Sequence, residues 1–265
     1  MRACLMAILA ISLTSMAASA DSVAKLIEDK GCSDCDLELA SLRGISIQGA
    51  DFSESKLIEA DLKQAELPNA NFSEARMQRV ELEQANLEGA VFQSARMRDA
   101  DLEKSNLMEA DFRDADLRDA DLANAGIEGA DFHDADMRAA YLRRVSGAGA
   151  SFVQAKLDYA DFERAQLPGA DFTDARLKGI DLDRATVIGG IFRDADLTSA
   201  RLSSTDLRDA DLRGADLEGA LLRRTNLSGA DLSDTEGLDQ RQLDIACGDE
   251  KTVLPSGLTV PACGE

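Results

Sequence analysis

Thiols, one imidazole and a dense population of carboxylates are the groups of this 265-residue chain with chemistry to offer. Cys32 and Cys35 form a Cys-x-x-Cys pair near one end, Cys247 and Cys263 lie near the other, and Cys4 stands upstream of all four. Such cysteines suit disulfides, a redox-active dithiol or thiolate ligands to a metal. The single histidine is His133. Acids recur in close pairs, as at Asp111 and Asp114 and again at Asp131 and Asp134, and paired carboxylates serve general acid–base catalysis or calcium binding. No Ser/His/Asp set assembles from the sequence, and no glycine-rich loop of the kind that cradles phosphate is present. Which chemistry is open depends on the elements that hold these groups.

Those elements follow from a five-residue period. Of the forty positions taken every fifth residue from Leu37 to Leu232, thirty-nine are Leu, Phe, Met, Ile or Val, with Gly147 the exception. Thirty of the forty matching sites from Ala40 to Thr235, each two residues before a fifth position of the frame, are Ala. Steps of about 100° per residue would smear this pattern around an α-helix, and on a continuous strand sites five apart would face opposite ways. The chain must therefore turn a corner within each five. Ala and Leu/Phe share the inward face of a very short strand, the residue between them points out, and the next two make the bend. Phe52, Phe72, Phe92, Phe112, Phe132, Phe152, Phe172 and Phe192 fall twenty apart, so four fives close one turn of a four-sided prism. The other three inward columns are Leu/Met (Leu57, Met77, Met97), nearly pure Leu (Leu62 to Leu142) and Leu/Ile/Val, the last containing Gly147.

The unit Ala-(Asp/Asn)-Leu-x-x resembles that of the pentapeptide-repeat proteins over about 200 of the 265 residues. The resemblance implies an all-β solenoid, a right-handed quadrilateral parallel β-helix, and the period fits about ten coils into residues 32–236. It implies little about activity, because that family includes gyrase-inhibiting DNA mimics as well as members of no assigned activity. Gly147 is expected to mark a local packing distortion, with a ligand notch as the less favoured reading.

The ends require covers, since a β-helix leaves unpaired strand edges there. Residues 21–31 read as a capping helix, with Val23, Leu26 and Ile27 on one side and Gly31 as its stop. After the period fails at Gly237, Asp239 and Gln242 form a capping box inside a Leu238–Leu243 staple, predicting a helix to about Cys247 and then an irregular tail within 237–265. The tail, and the segment Gly31-Cys-Ser-Asp-Cys-Asp-Leu37, are similar to those of exported bacterial pentapeptide-repeat proteins.

Residues 1–20 read as a signal peptide: Arg2, an apolar run from Leu5 to Leu13, and Ala18-Ser19-Ala20 before an expected cleavage. The run is too short to span a bilayer, and no second one lies outside the repeat, so no membrane span is expected. Export to the bacterial periplasm or exterior favours oxidised thiols. About ten coils separate the two cysteine pairs, which leaves Cys32–Cys35 and Cys247–Cys263 as the reasonable pairings and excludes one shared four-thiolate zinc site. The Cys-x-x-Cys follows a helix rather than opening one, so a structural role is favoured over a redox-active one.

Charge is the remaining functional signal. Against 29 Lys and Arg stand 50 Asp and Glu, a net −21, which argues against nucleic acid as a direct partner. Of the forty outward positions from Asp36 to Asp231, seventeen are Asp and four are Asn, types that hydrogen-bond backbone at bends, so much of this acidity is expected to be architectural. His133 falls at an outward position and reads as a surface residue. The Phe side carries Asp111, Asp114, Asp131 and Asp134, with Asp171 and Asp174 beyond them, while the Leu/Met side carries Lys56, Arg76, Arg79, Arg96 and Arg98. Over the Leu/Ile/Val column the wall is almost uncharged, with glycines at its bends from Gly49 to Gly229 that suit positive φ. A docking wall around Met108 and Ile188 is the lesser reading.

The expectation is a non-catalytic exported scaffold or interaction module, with no metal and no cofactor, presenting charge columns to a protein or envelope component. A DNA-mimic inhibitor of a type II topoisomerase is the alternative, which the signal peptide disfavours. The sequence sets no oligomeric state.

Overall fold

The computed structural model describes residues 26–264. The segment expected as a signal peptide, with Cys4, and Val23 of the expected capping helix lie outside the described residues. Each five-residue unit places two side chains inward, Ala and the following Leu or Phe, and both are fully buried along most of the chain. The outward residue between them pairs with its counterpart twenty residues on, in parallel bridges that run without a slip from Gly31–Asp51 to Asp216–Glu236. Phe112 N–H donates to Asp131 O at 2.7 Å, and Asp131 N–H donates to Ala110 O at 2.9 Å, so every coil is bonded to the next on each side. The bridges are too short for extended strands, which is the geometry a five-residue unit with a corner demands.

The inward columns are continuous. Neighbouring rings from Phe52 to Phe192 stack with centroids 4.6–5.3 Å apart. Phe162, in the Leu column, meets Phe152 and Phe172 edge-on. Where the small inward residue is Ser or Thr, its hydroxyl donates to a carbonyl inside the wall: Ser55 to Cys32 O, Ser105 to Leu102 O, Thr205 to Leu182 O and Thr225 to Leu202 O, at 2.6–2.8 Å. Burial of these hydroxyls is thereby satisfied.

Positive φ belongs to every side and not to the glycine-rich wall alone. Glu54, Ala139 and Tyr159 turn their corners at φ 58°, 57° and 60°. A left-handed residue with a side chain costs about 1–2 kcal/mol. The corner N–H offsets this by bonding to the next coil, as Ala139 N–H does to Asp158 O at 3.0 Å. Ala139→Gly is therefore expected to stabilise the protein by up to about 1 kcal/mol, read as a rise in Tm. An unchanged or lower Tm would contradict this.

Gly147 does not distort the coil. The bridges Gly126–Ser146 and Ser146–Gln166 keep register around it. A Cβ placed there would stand 2.6 Å from Ile127 Cγ1 and 3.0 Å from Leu167 Cδ2, so the side chains above and below fill the space and no notch remains.

Both ends differ in detail from expectation. The described part of the first helix ends in a turn closed by Lys30 N–H to Ile27 O and Gly31 N–H to Leu26 O. Lys30, at φ 56°, and Gly31, at φ 101°, both take positive φ in that stop, so Gly31 ends the helix as expected and Lys30 shares the turn, and Gly31 also begins the ladder. At the other end the capping box of Asp239 and Gln242 is present, but the helix is only Gln240–Leu243 and not the longer one to Cys247. It stops because the chain returns to the wall, where Cys247 pairs with Asn226 and Val253 with Asp231. Thr252 repeats the interior hydroxyl bond, donating to Leu227 O at 2.9 Å. The tail is thus partly an extension of the ladder and not simply irregular.

Candidate interaction surface

The outward carboxylates are bound into the corners. At all seventeen Asp and all four Asn of the outward ladder positions, Oδ1 accepts the N–H two residues later, at 2.8–3.5 Å. This repeated Asx turn explains the residue preference physically: the side chain satisfies an N–H that the tight bend leaves without a coil partner.

The Phe side is less uniformly acidic than its projection. Arg113 grips Asp111 through Nε and Nη2, at 2.8 and 2.5 Å, and lies 3.8 Å from Asp131. The guanidinium holds the Asp111 carboxyl below its usual range. His133 Nε2 is 3.1 Å from Asp134 Oδ2, half exposed and with no nucleophile paired to it. Asp114 stands exposed beside Arg113 without a direct bridge.

On the Leu/Met side, Lys56 pairs with Glu38, Arg79 with Glu59, and Arg98 with Asp119 at 3.3 Å. Among the described residues, Arg76 and Arg96 have no acidic partner within 4.0 Å, although Arg76 stacks directly on Lys56 in the ladder and Arg96 on Arg76. The basic character continues past the five residues identified from sequence, through Arg118, Arg138, Lys156, Arg176 and Lys178. Projecting the remaining coils onto the same side would have found them. Asp158 on this side is only 5% exposed, and Arg176 Nη2 reaches its two oxygens at 3.2 and 3.1 Å.

On the pure-Leu side, Asp61, Glu81, Asp101 and Asp121 stack in one ladder column. Burial, and then the Glu83 carboxylate, push Asp101 up to about 6 from an ordinary 3.8. Above pH 6 both folded and unfolded chains are ionised there, and the fold carries the whole penalty. As the pH falls from 6 towards 4, the folded state takes up the proton first and the penalty is released. Asp101→Asn keeps an oxygen for the Glu103 N–H. It is expected to raise stability at about pH 7.5 by about 1 kcal/mol or less, because the site is partly screened by solvent, with the gain gone near pH 4.5. Thermal melts at the two pH values check this, and a gain independent of pH would contradict it.

Cys32 and Cys35 are joined with Cα atoms 5.8 Å apart, and Cys247 and Cys263 with Cα atoms 4.7 Å apart. The second bond ties the end of the tail to the point where the chain rejoins the ladder. No group of three or more His, Cys, Asp or Glu placed to hold a metal occurs among the described residues. No helix of the described residues is long and apolar enough to cross a membrane. Two shallow depressions, one lined by Arg193, Asp194 and Arg213 and one by Ser228, Gly248 and Cys263, bring together no set of groups suited to catalysis.

Comparison with known proteins gives a consistent picture. The family model "Pentapeptide repeat region" matches residues 75–152, and "Pentapeptide repeats (8 copies)" matches 35–73, 148–184, 175–214 and 200–236. No curated protein matches the chain. Among solved structures, the chain is similar to HetL, a pentapeptide repeat protein involved in heterocyst differentiation regulation from the cyanobacterium Nostoc sp. Strain PCC 7120. Identity is 26%, coverage 83% of this chain and 98% of that one, and the TM-score 0.51. Full-length QnrB1, a plasmid-mediated fluoroquinolone resistance protein, matches at 18% identity over 83% of this chain and 93% of that one, with a TM-score of 0.49. A pentapeptide repeat protein of the Arabidopsis thaliana thylakoid lumen matches at 31% identity over 43% and 74%, with a TM-score of 0.21.

Proposed function

Because this chain belongs to the pentapeptide-repeat family, we propose that it is a non-catalytic scaffold or interaction protein, exported by its first twenty residues to the periplasm or beyond. It acts as a rod of about ten coils, on the order of 50 Å long, covered by a helical segment at each end. One observation carries the reading: the outward Asp and Asn of the repeat are consumed by backbone N–H groups, so the abundant carboxylates build corners rather than a reaction centre. What the surface then offers is ordered charge on a stiff frame, with acidic Asp114 and Asp134 on one side and unpaired Arg76 and Arg96 on the next. Similarity to HetL, a protein of regulation, is in keeping with action by contact.

The test is crosslinking in the envelope. The exported chain should form a defined adduct with a protein or envelope component, and reversing Asp111, Asp114, Asp131 and Asp134 to Lys, or Arg76 and Arg96 to Glu, should remove it. Adducts indifferent to both reversals would refute charge-column recognition. A DNA-mimic inhibitor of a type II topoisomerase is the second reading, resting on the regular carboxylates of the Phe side. The pairing of Asp111 with Arg113 weakens it, because a polyphosphate mimic needs uncompensated charge.

A further inference from the structure

The outward ladder column of the Leu/Met side is charged at every step. Beyond Asp36, which lies 3.8 Å from Lys56 in its own chain, the other ten of its eleven residues, from Lys56 to Glu236 and bridged one to the next, read three positive, two negative, two positive and three negative. Reversing that order and inverting every sign returns the same series. We infer that this side is a self-complementary surface for a second copy of the chain, lying antiparallel about a two-fold axis between the coils of Asp136 and Lys156.

Geometry dictates the pairing. When two flat sides meet about an axis across the rods, each column faces its own counterpart in reverse order. Arg76 then faces Asp216 of the second copy, and Arg96 faces Asp196. Lys56 meets Glu236, Asp116 meets Arg176, and Asp136 meets Lys156, so that all ten positions meet an opposite charge. The parallel alternative would set Arg96 against Arg98 and Arg176 against Lys178.

Two observations independent of the sign pattern support the register. Among the described residues, Arg76, Arg96, Lys156, Asp196 and Asp216 have no oppositely charged partner within their own chain, and all of them acquire one here. The exposed Tyr159, its ring packed over Gly179, falls beside the axis opposite Ala139, where an interface places its aromatic anchor. One like-charged pairing results, Arg118 against Lys178, made twice by the symmetry, and Arg118 is already neutralised by Asp116 through bonds of 2.7 and 2.6 Å. Ten coils at about 4.8 Å, with a contact strip about 10 Å wide, bury on the order of 500 Å² per copy, the size of a weak, reversible dimer. The acidic Phe sides remain outward, available to the partner proposed above, whereas Arg76 and Arg96 are covered in the dimer and meet that partner only from the monomer. This inference goes beyond that reading and does not depend on it, since a dimer forms wherever the chain resides.

The experiment is a charge swap followed by sedimentation equilibrium. The chain from Asp21 onward is measured at about 150 mM salt, where repulsion between distant charges is screened and contact pairs are not. It should dimerise reversibly. Arg96→Asp alone and Asp196→Arg alone each create two like-charged contacts and should weaken dimerisation at least tenfold. The two combined restore the match and should recover it, which also controls for folding. Zero-length carbodiimide coupling of mixed light and heavy protein should join Lys156 of one copy to Asp136 of the other. A monomer throughout, single reversals without effect, or a double variant no better than the singles would overturn the proposal.

Discussion

Phe112→Ala is expected to remove about 3–5 kcal/mol, and Phe112→Asp to prevent the middle of the rod from forming. The ring lies between Phe92 and Phe132 with centroids 4.6 and 4.9 Å away, fully buried, so the small side chain leaves a void that two rigid neighbours cannot close. An unpaired carboxylate in the same place has no donor within the column. In a stack where each coil leans only on its neighbours, the damage should stay local. Native-state hydrogen exchange on Phe112→Ala should show protection lost around residues 90–135 before either end. Uniform loss along the chain would contradict the one-dimensional account.

Gly237→Ala should be comparably severe but confined to one end. Gly237 sits at φ 65°, and a Cβ there would stand 2.6 Å from both the Cα and the N of Glu218, backbone atoms that cannot swing aside. The left-handed conformation contributes about 1–2 kcal/mol and displacement of the chain about 1–3 more. The tail from Leu238 onward should lift from the last coil, taking with it the Gln242 bonds to Leu217 O and Ala220 O at 2.8 and 3.0 Å. Hydrogen exchange should accelerate over residues 217–263 while the Phe column keeps its protection. Unchanged exchange in the tail would show that the turn at Gly237 is not what seats it.

The repeat was legible in the sequence because its physics is local. A five-residue period with Ala two before Leu admits one solution, and the twenty-residue spacing of Phe closes the coil. The Asp preference at the outward position was legible for the same reason, since an Asx turn spans two residues. What the sequence did not disclose depends on neighbours twenty or more residues away. Gly147 looked like a defect, yet Ile127 and Leu167 reach into its space from the adjacent coils. The tail looked irregular because its pairing, Asn226 with Cys247 and Asp231 with Val253, departs from the twenty-residue step. Lys30 joins Gly31 at positive φ at the first helix stop, where the chain must enter the ladder against the backbone of Asp51. The acidic Phe side was overdrawn because projection counts charges and not the bonds between them, and the Arg113 grip on Asp111 is such a bond.

The central claim, an exported rod that works by contact, is tested most directly by where the chain resides and where it begins. Cell fractionation with N-terminal sequencing, followed by a supercoiling assay on the recovered protein, decides it. The account predicts a periplasmic or secreted chain starting at Asp21 that leaves supercoiling untouched. An uncleaved cytoplasmic chain that blocks supercoiling at stoichiometric concentration would contradict it.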